Sequence, residues 1–165
     1  YDILVGRRIE KNKWLRKFLL SAYQSHLFNY YMVLRINQGF YNKMMEGDIA
    51  RKHDTGGIFV VEDPMAEQER FDKQEICYTG PIYGKKMKPA AGESSLLEEK
   101  VLSDHHITWK ELLEARLNGT RRQGILIPTI QAERQENGIK LLFTLPKGAY
   151  ATIVLREFMK HSYIK

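Results

Sequence analysis

The stretch Leu145–Glu157, LPKGAYATIVLRE, sets one aromatic side chain, Tyr150, between two alanines and ends on the charged pair Arg156-Glu157. Small neighbours leave open space around a ring, and another flat group can lie against it. Cations gather at three other places. Arg7, Arg8, Lys11, Lys13, Arg16 and Lys17 crowd the start, Lys85, Lys86 and Lys88 form a second group, and Arg121-Arg122 a third. An acidic run (Glu62, Asp63, Glu67, Glu69, Asp72, Glu75) separates the first two. Net charge is +6 and the pI about 9.3. This is a mild electrostatic footprint for a polyanion such as nucleic acid; each cluster taken singly also fits a solvated face.

Other chemistries leave no signature. There is no Walker loop, no dinucleotide-binding glycine pattern, no Gly-x-Ser-x-Gly and no zinc-spaced Cys/His set. Asp104-His105-His106 suggests a metal at first sight. Adjacent helical residues point in different directions, and no further ligands lie at a natural spacing, so the triplet reads as a solvated helix terminus and no metal is expected. The single Cys77 excludes an internal disulfide framework and suits a reducing cytosol. It reads as a small buried hydrophobe.

The 165 residues, 43% apolar and 28% charged, fit one domain or one and a half, with room for a sizeable core. No apolar run reaches the roughly 18 residues of a membrane helix, and there is no secretory h-region at the start. The chain opens on Tyr-Asp rather than Met, which suggests a piece of a longer protein or a processed one.

The elements that must position these residues follow from periodicity. Asn12 caps a long helix from about Lys13 to Gln38, stopped by Gly39. Two apolar stripes run along it, and Ser21, Ser25 and Asn29, with Gln24 beside them, form a polar one. That stripe faces water, neighbouring loops, RNA or another domain; Ser21, Gln24 and Asn29 are assigned a structural role at a domain seam. Ile58 to Val61 reads as a strand, and Pro64 to about Lys73 as a helix. Tyr78 to Lys86 reads as loop because Gly80, Pro81 and Gly84 break regular structure. Helices follow from Glu93 to about Ser103 and from a Thr108/Glu111 capping box to Gly119. Then the period changes. Gly124 to Gln135 and Lys140 to Leu145 flank Glu-Asn-Gly at 136–138, a hairpin signal, and a helix from Gly148 to about Lys160 suits packing on that hairpin. The class is α+β: a helix-rich domain, then a hairpin and helix belonging to a larger mixed sheet.

Five fragments, SAYQSHLFN (21–29), EGD (46–48), TGPIYG (79–84), GTRR (119–122) and LPKGAYATIVLRE (145–157), occur in the order and spacing of the TruD family of transfer-RNA pseudouridine synthases. The resemblance covers about Lys13 to Lys160. It implies that uridine in transfer RNA, usually at position 13, is detached at N1 and rejoined through C5 to the same ribose, with no metal or organic cofactor. It implies a cytoplasmic, RNA-binding enzyme. It also implies a catalytic Asp in a Gly-x-Lys-Asp motif, and this sequence has no Lys-Asp dipeptide. The six aspartates are Asp2, Asp48, Asp54, Asp63, Asp72 and Asp104, none in that context. The resemblance therefore assigns this chain to the second part of such an enzyme, inactive alone, with the catalytic Asp in an upstream half that is its partner. Residues 1–126 would be the family's inserted domain, and 127–165 the segment returning to the catalytic domain.

The same resemblance places Tyr150 against the flipped uridine and Arg156 beside the missing Asp. Arg121 and Arg122, Arg7 and Arg8, and Lys85 and Lys86 are the expected phosphate contacts. A non-catalytic RNA-binding module is the alternative.

Overall fold

The computed structural model describes residues 1–146 and 148–160. Lys147 of the 145–157 motif and the last five residues of the returning segment lie outside them. Two compact units result, Tyr1–Ile125 and Leu126–Lys165.

The first unit opens with a short turn-rich segment and then α1 (Lys13–Asn37). Asn12 caps it, its side-chain oxygen accepting from the Trp14 and Leu15 amides at 3.0 and 3.1 Å, and Gly39 takes up a left-handed conformation just past the end. There follow β1 (Ile49–Lys52), β2 (Ile58–Val60), α2 (Pro64–Asp72), β3 (Ile76–Ile82), α3 (Gly92–Asp104), α4 (Trp109–Glu114) and β4 (Thr120–Gln123). The four strands form one antiparallel sheet in the order β2-β1-β3-β4. Asp63 caps α2 and Pro64 fills its first turn. The Thr108–Glu111 capping box is present.

Three local expectations need correction. Residues 78–82 are not loop: they lie in β3, all of whose seven residues are buried. Proline is tolerated there because β1 pairs with β3 only as far as Thr79, so Pro81 has a strand on one side only. Gly80 sits where α1 crosses: a Cβ on it would stand 2.7 Å from the Phe28 ring and 2.8 Å from that of Tyr31. Glycine here is a packing requirement and not a chain break. The helix after Thr108 ends at Glu114, short of Gly119, because Arg116 turns left-handed at φ 56°. Finally, the unit is less purely helical than expected, since β1, β3 and β4 were not read as strands. They are short or fully buried and carry no alternation to betray them.

The core has two parts. Leu20, Leu27, Tyr31, Tyr83, Leu97, Val101 and Leu112 join α1, α3 and α4. Met44, Ala50, Val61, Ile76 and Tyr78 form the other, with Phe71 of α2 packed against them.

Inside this frame stands a buried ion pair. Arg35 and Asp48 side chains are both 0% exposed. All five guanidinium N–H groups have a partner: Nη1 donates to Asp48 Oδ1 (2.8 Å) and Tyr31 Oη (2.9 Å), Nη2 to Asp48 Oδ2 (2.7 Å) and the Lys43 carbonyl (2.7 Å), and Nε to the Phe40 carbonyl (3.0 Å). Asp48 accepts two further bonds, from the Met45 amide and from Ser94 Oγ, each 2.8 Å. The guanidinium carbon lies 3.6 Å from the centroid of the Tyr78 ring. Burial is the largest single influence and pulls the Arg35 pKa down, but the hydrogen bonds to Asp48 and the electrostatic pull of Tyr31, Asp48 and Tyr78 together outweigh it, so the net shift is upward and the charge is retained. Burial also pushes the Tyr31 hydroxyl up to about 12.

The second unit consists of β5 (Ile130–Gln135), β6 (Gly138–Phe143) and α5 (Ala151–Met159). β5 and β6 form a two-stranded antiparallel hairpin. Gly138 pairs with Gln135, so Glu136 and Asn137 make the loop and the glycine opens the return strand. Residues 124–129 lie outside the strand. The expected packing of the last helix on the hairpin is not seen in burial: no α5 residue is buried. No helix among the described residues is long and apolar enough to cross a membrane.

Removing one partner of a buried pair strands the other charge, at a cost of about 3–5 kcal/mol. Asp48→Ala is therefore expected to lower the unfolding free energy by several kcal/mol in a urea titration. A loss below about 1 kcal/mol, typical of an exposed ion pair, would show that the pair does not organise the unit.

Candidate nucleic-acid interface

The Arg121-Arg122 pair divides. The two arginines are neighbours on β4, and successive strand residues point to opposite faces. Arg121 turns inward, with 1% of its side chain exposed. Its Nη1 lies 2.7 Å from Glu98 Oε1 of α3, outside hydrogen-bond alignment. Its Nε donates to Thr79 Oγ1 (3.0 Å), its Nη2 to the Thr79 carbonyl (2.6 Å) and its Nη1 to the Lys88 carbonyl (3.3 Å). The expected phosphate contact by Arg121 is thereby corrected. A guanidinium this enclosed is neutralised inside the protein and braces β4 against β3 and α3. Burial raises the Glu98 pKa, and the charge of Arg121 works against that rise.

Arg122 is half-buried on the other face. Its Nη2 and Nη1 donate to Ser25 Oγ of α1 at 3.4 and 3.5 Å, and its guanidinium carbon sits 5.0 Å from the centroid of the Phe28 ring. It therefore lies along α1. Gln24, one residue away, is buried and donates from Nε2 to the Tyr83 carbonyl at 2.6 Å, a structural bond inside the first unit rather than at a domain seam, while Ser21 and Asn29 are exposed.

The remaining expected cations are at the surface. Arg7 and Arg8 are exposed; Arg7 lies over the Tyr1 ring at 5.4 Å and Arg8 is 3.7 Å from Glu10. Lys85 and Lys86 are exposed on a loop fixed by its own backbone, their amides donating to the Leu117 and Asn118 carbonyls at 2.8 and 2.5 Å. Gly84 and Gly119 face each other behind that loop, so close that a Cβ on Gly84 would lie 2.4 Å from the Gly119 nitrogen. A loop held in this way presents two exposed lysines that can meet phosphate without the loop first being ordered.

In the second unit, Tyr150 is the N-cap residue of α5 and is 72% exposed. Arg156 stands in the last turn of that helix, its Nε 4.0 Å from Glu157 Oε1 and its side chain half exposed. Six helical positions carry them about 9 Å apart along the axis.

Five of the six aspartates have local duties. Asp48 is taken up by Arg35, Asp63 caps α2, Asp104 accepts from Tyr30 and Lys100, Asp72 accepts from Gln68, and Asp54 accepts from the Thr55 amide. Among the described residues no group of three or more His, Cys, Asp or Glu side chains is placed to hold a metal ion. His105 does not join such a group; its Nε2 lies 3.2 Å from His26 Nε2 across the α1–α3 seam. Cys77 is buried, and burial raises its thiol pKa.

Sequence reading missed Arg35, the most completely bonded cation in the unit. The signal was faint: one arginine in an otherwise apolar register of a long helix.

Comparison with known proteins gives four findings. The family model for tRNA pseudouridine synthase D (TruD) matches residues 9–158. A protein named tRNA pseudouridine synthase D from Thermus thermophilus is 43% identical over 160 residues, which are 97% of this chain and 44% of the relative. One of the same name from Anaeromyxobacter dehalogenans is 38% identical over 155 residues, 93% of this chain and 44% of the relative. A crystal structure of a protein named tRNA pseudouridine synthase D (TruD) from Methanosarcina mazei superposes with a TM-score of 0.68 at 28% identity, covering 94% of this chain and 40% of that one. The chain thus spans under half the length of these relatives.

The Arg121–Glu98 pair gives a pH test. Because the folded pKa of Glu98 is raised, the stability it supplies is fully present below the ordinary carboxylate range and is lost as pH rises through the folded value. Arg121→Ala removes the charge that opposes this shift. Its destabilisation is expected to be larger at pH 7.5 than at pH 5, because the carboxylate form of Glu98 then lacks the positive charge that favours it. Equal losses in denaturant melts at the two pH values would show that Glu98 does not feel Arg121.

Proposed function

The chain belongs to the TruD family of tRNA pseudouridine synthases, and from that premise we propose that the full-length protein isomerises uridine to pseudouridine in transfer RNA, at position 13. The observation that carries the proposal is the family match running through 150 consecutive positions, from 9 to 158. In the reaction the N1–C1′ bond breaks and a C5–C1′ bond forms. N1 gains a proton and C5 loses one, so the net change is an isomerisation and no redox partner enters.

Residues 1–126 are the inserted domain, and 127–165 return to the catalytic domain and complete its sheet. The contact boundary between Ile125 and Leu126 supports that division. So does the exposure of large apolar side chains on the hairpin and α5, Ile139, Leu142, Ile153 and Phe158, which the rest of a sheet would bury.

The catalytic Asp comes from the upstream half. In support, Asp48, Asp54, Asp63, Asp72 and Asp104 are engaged in structural bonds or caps. Tyr150 stacks on the flipped uridine, with Ala149 and Ala151 leaving space for it. Arg156 lies near the Asp, where a guanidinium keeps a carboxylate ionised by lowering its pKa. Arg7, Arg8, Lys85 and Lys86 hold phosphates. The segment alone is inactive because it lacks that Asp. A protein with these partners works in the cytoplasm.

The test is to incubate the full-length protein with an unmodified transfer-RNA transcript and map pseudouridine as carbodiimide-adduct stops in primer extension. A single new stop at position 13 is expected. Transfer-RNA binding with no stop would replace this reading with a non-catalytic RNA-binding module. A base stacked on an aromatic is worth roughly 1–3 kcal/mol. Tyr150→Ala is therefore expected to cut single-turnover rate about tenfold or more while changing transfer-RNA affinity far less. Equal losses in both would instead indicate a folding defect.

A further inference from the structure

One exposed surface of the first unit has no role in the account above. Trp14 and Phe18 stand one turn apart at the start of α1, 71% and 56% exposed. Their rings are parallel to within 6°, with centroids 5.5 Å apart. They present apolar surface to water ahead of Leu20, the first buried residue of α1.

The same end of the unit is crowded with cations. Arg7, Arg8, Lys11, Lys13 and Lys17 are all exposed, and the first turn of α1 contains no acid. Among the described residues only Arg8 of these five has a carboxylate within 4.0 Å.

We infer that the Trp14–Phe18 ring pair binds an unpaired nucleotide of the RNA substrate, the base stacked on the rings and its phosphate held by the exposed cations at the same end of the unit. The inference rests on the reading of the protein as acting on transfer RNA. Every base has a π-face, so stacking on a tryptophan is tolerant of sequence. Phosphate is the anion that free lysines and arginines hold in nucleic-acid complexes. Unpaired nucleotides fit because a base inside a duplex has both faces covered. A protein surface docking here would need an apolar plate ringed by several acids, whereas one nucleotide carries the plate and the anion together. Lys17 and Ser21, both exposed, stand beside the two rings.

The experiment uses the full-length protein with Trp14→Phe, Trp14→Leu and Trp14→Ala, measuring transfer-RNA affinity by filter binding and stability by thermal melting. Trp14→Phe keeps an aromatic plate and is expected to bind within about twofold of the parent. Trp14→Leu and Trp14→Ala are expected to bind about tenfold more weakly, the low to middle range for one stacked base, with melting temperatures unchanged. Lys17→Gln is expected to reduce the slope of log affinity against log salt, because it removes one phosphate contact. Parent-like RNA binding by Trp14→Leu would overturn the inference. So would a lowered melting temperature in Trp14→Ala with unchanged affinity, which would mean that the face is covered by protein. In both cases a parent protein that still modifies transfer RNA leaves the proposed function standing. A parent that neither binds nor modifies transfer RNA removes that function and the inference with it.

Discussion

A guanidinium taken out of water must have every N–H bonded and its charge matched, and the first unit is arranged around meeting that condition for Arg35. The partners come from five places: Tyr31 one turn earlier on α1, the carbonyls of Phe40 and Lys43 in the turn after it, Asp48 at the entry to β1, and the Tyr78 ring on β3. Ser94 of α3 reaches the same carboxylate. One buried charge thus fixes how α1, the 40–48 turn, two strands and α3 meet. Buried pairs are not reliable sources of net stability, but a half-satisfied one is costly. The effect is to penalise any arrangement that separates these elements.

Arg121 applies the same constraint at the far edge of the sheet. It ties β4 to Thr79 of β3 and to Glu98 of α3. Between the two arginines runs β3, buried throughout, with Gly80 admitting the Phe28 and Tyr31 rings of α1 and Gly84 abutting Gly119. The 21–29, 46–48, 79–84 and 119–122 fragments therefore converge on one seam. They carry the family signature, and most of what they do here is hold α1, β3 and β4 together. Gln24, Asp48, Thr79 and Arg121 are conspicuous in sequence because they are polar, and polar groups can be buried only in fixed pairings.

Interior neutralisation also sharpens the surface. Two cations are cancelled by Asp48 and Glu98, so the electrostatic face offered to solvent comes from the start of the chain and the Lys85-Lys86 loop. Those are segments whose backbones are held by turns and carbonyl contacts. The cations that can meet a polyanion are thus carried on positions the core does not need.

The sequence by itself determined a good deal. Helix limits at Asn12 and Gly39, the Asp63-Pro64 start and the Thr108–Glu111 box are local, since a capping oxygen lies within three residues of the amides it accepts from. The hairpin around 136–138 is likewise local, and the five fragments identified the family because their order and spacing are properties of the chain. Tertiary structure alone decided the rest. β3 was hidden because glycine and proline read as breaks until α1's rings fill the space at Gly80 and β1 is seen to stop at Thr79. Arg121 and Arg122 look equivalent in sequence; strand alternation and the position of Glu98, 23 residues earlier, send one inward and leave the other along α1. Arg35 carries no mark of burial except the company it keeps in space. Local chemistry is legible because its partners are sequence neighbours, and burial is not, because it depends on residues that only folding brings together.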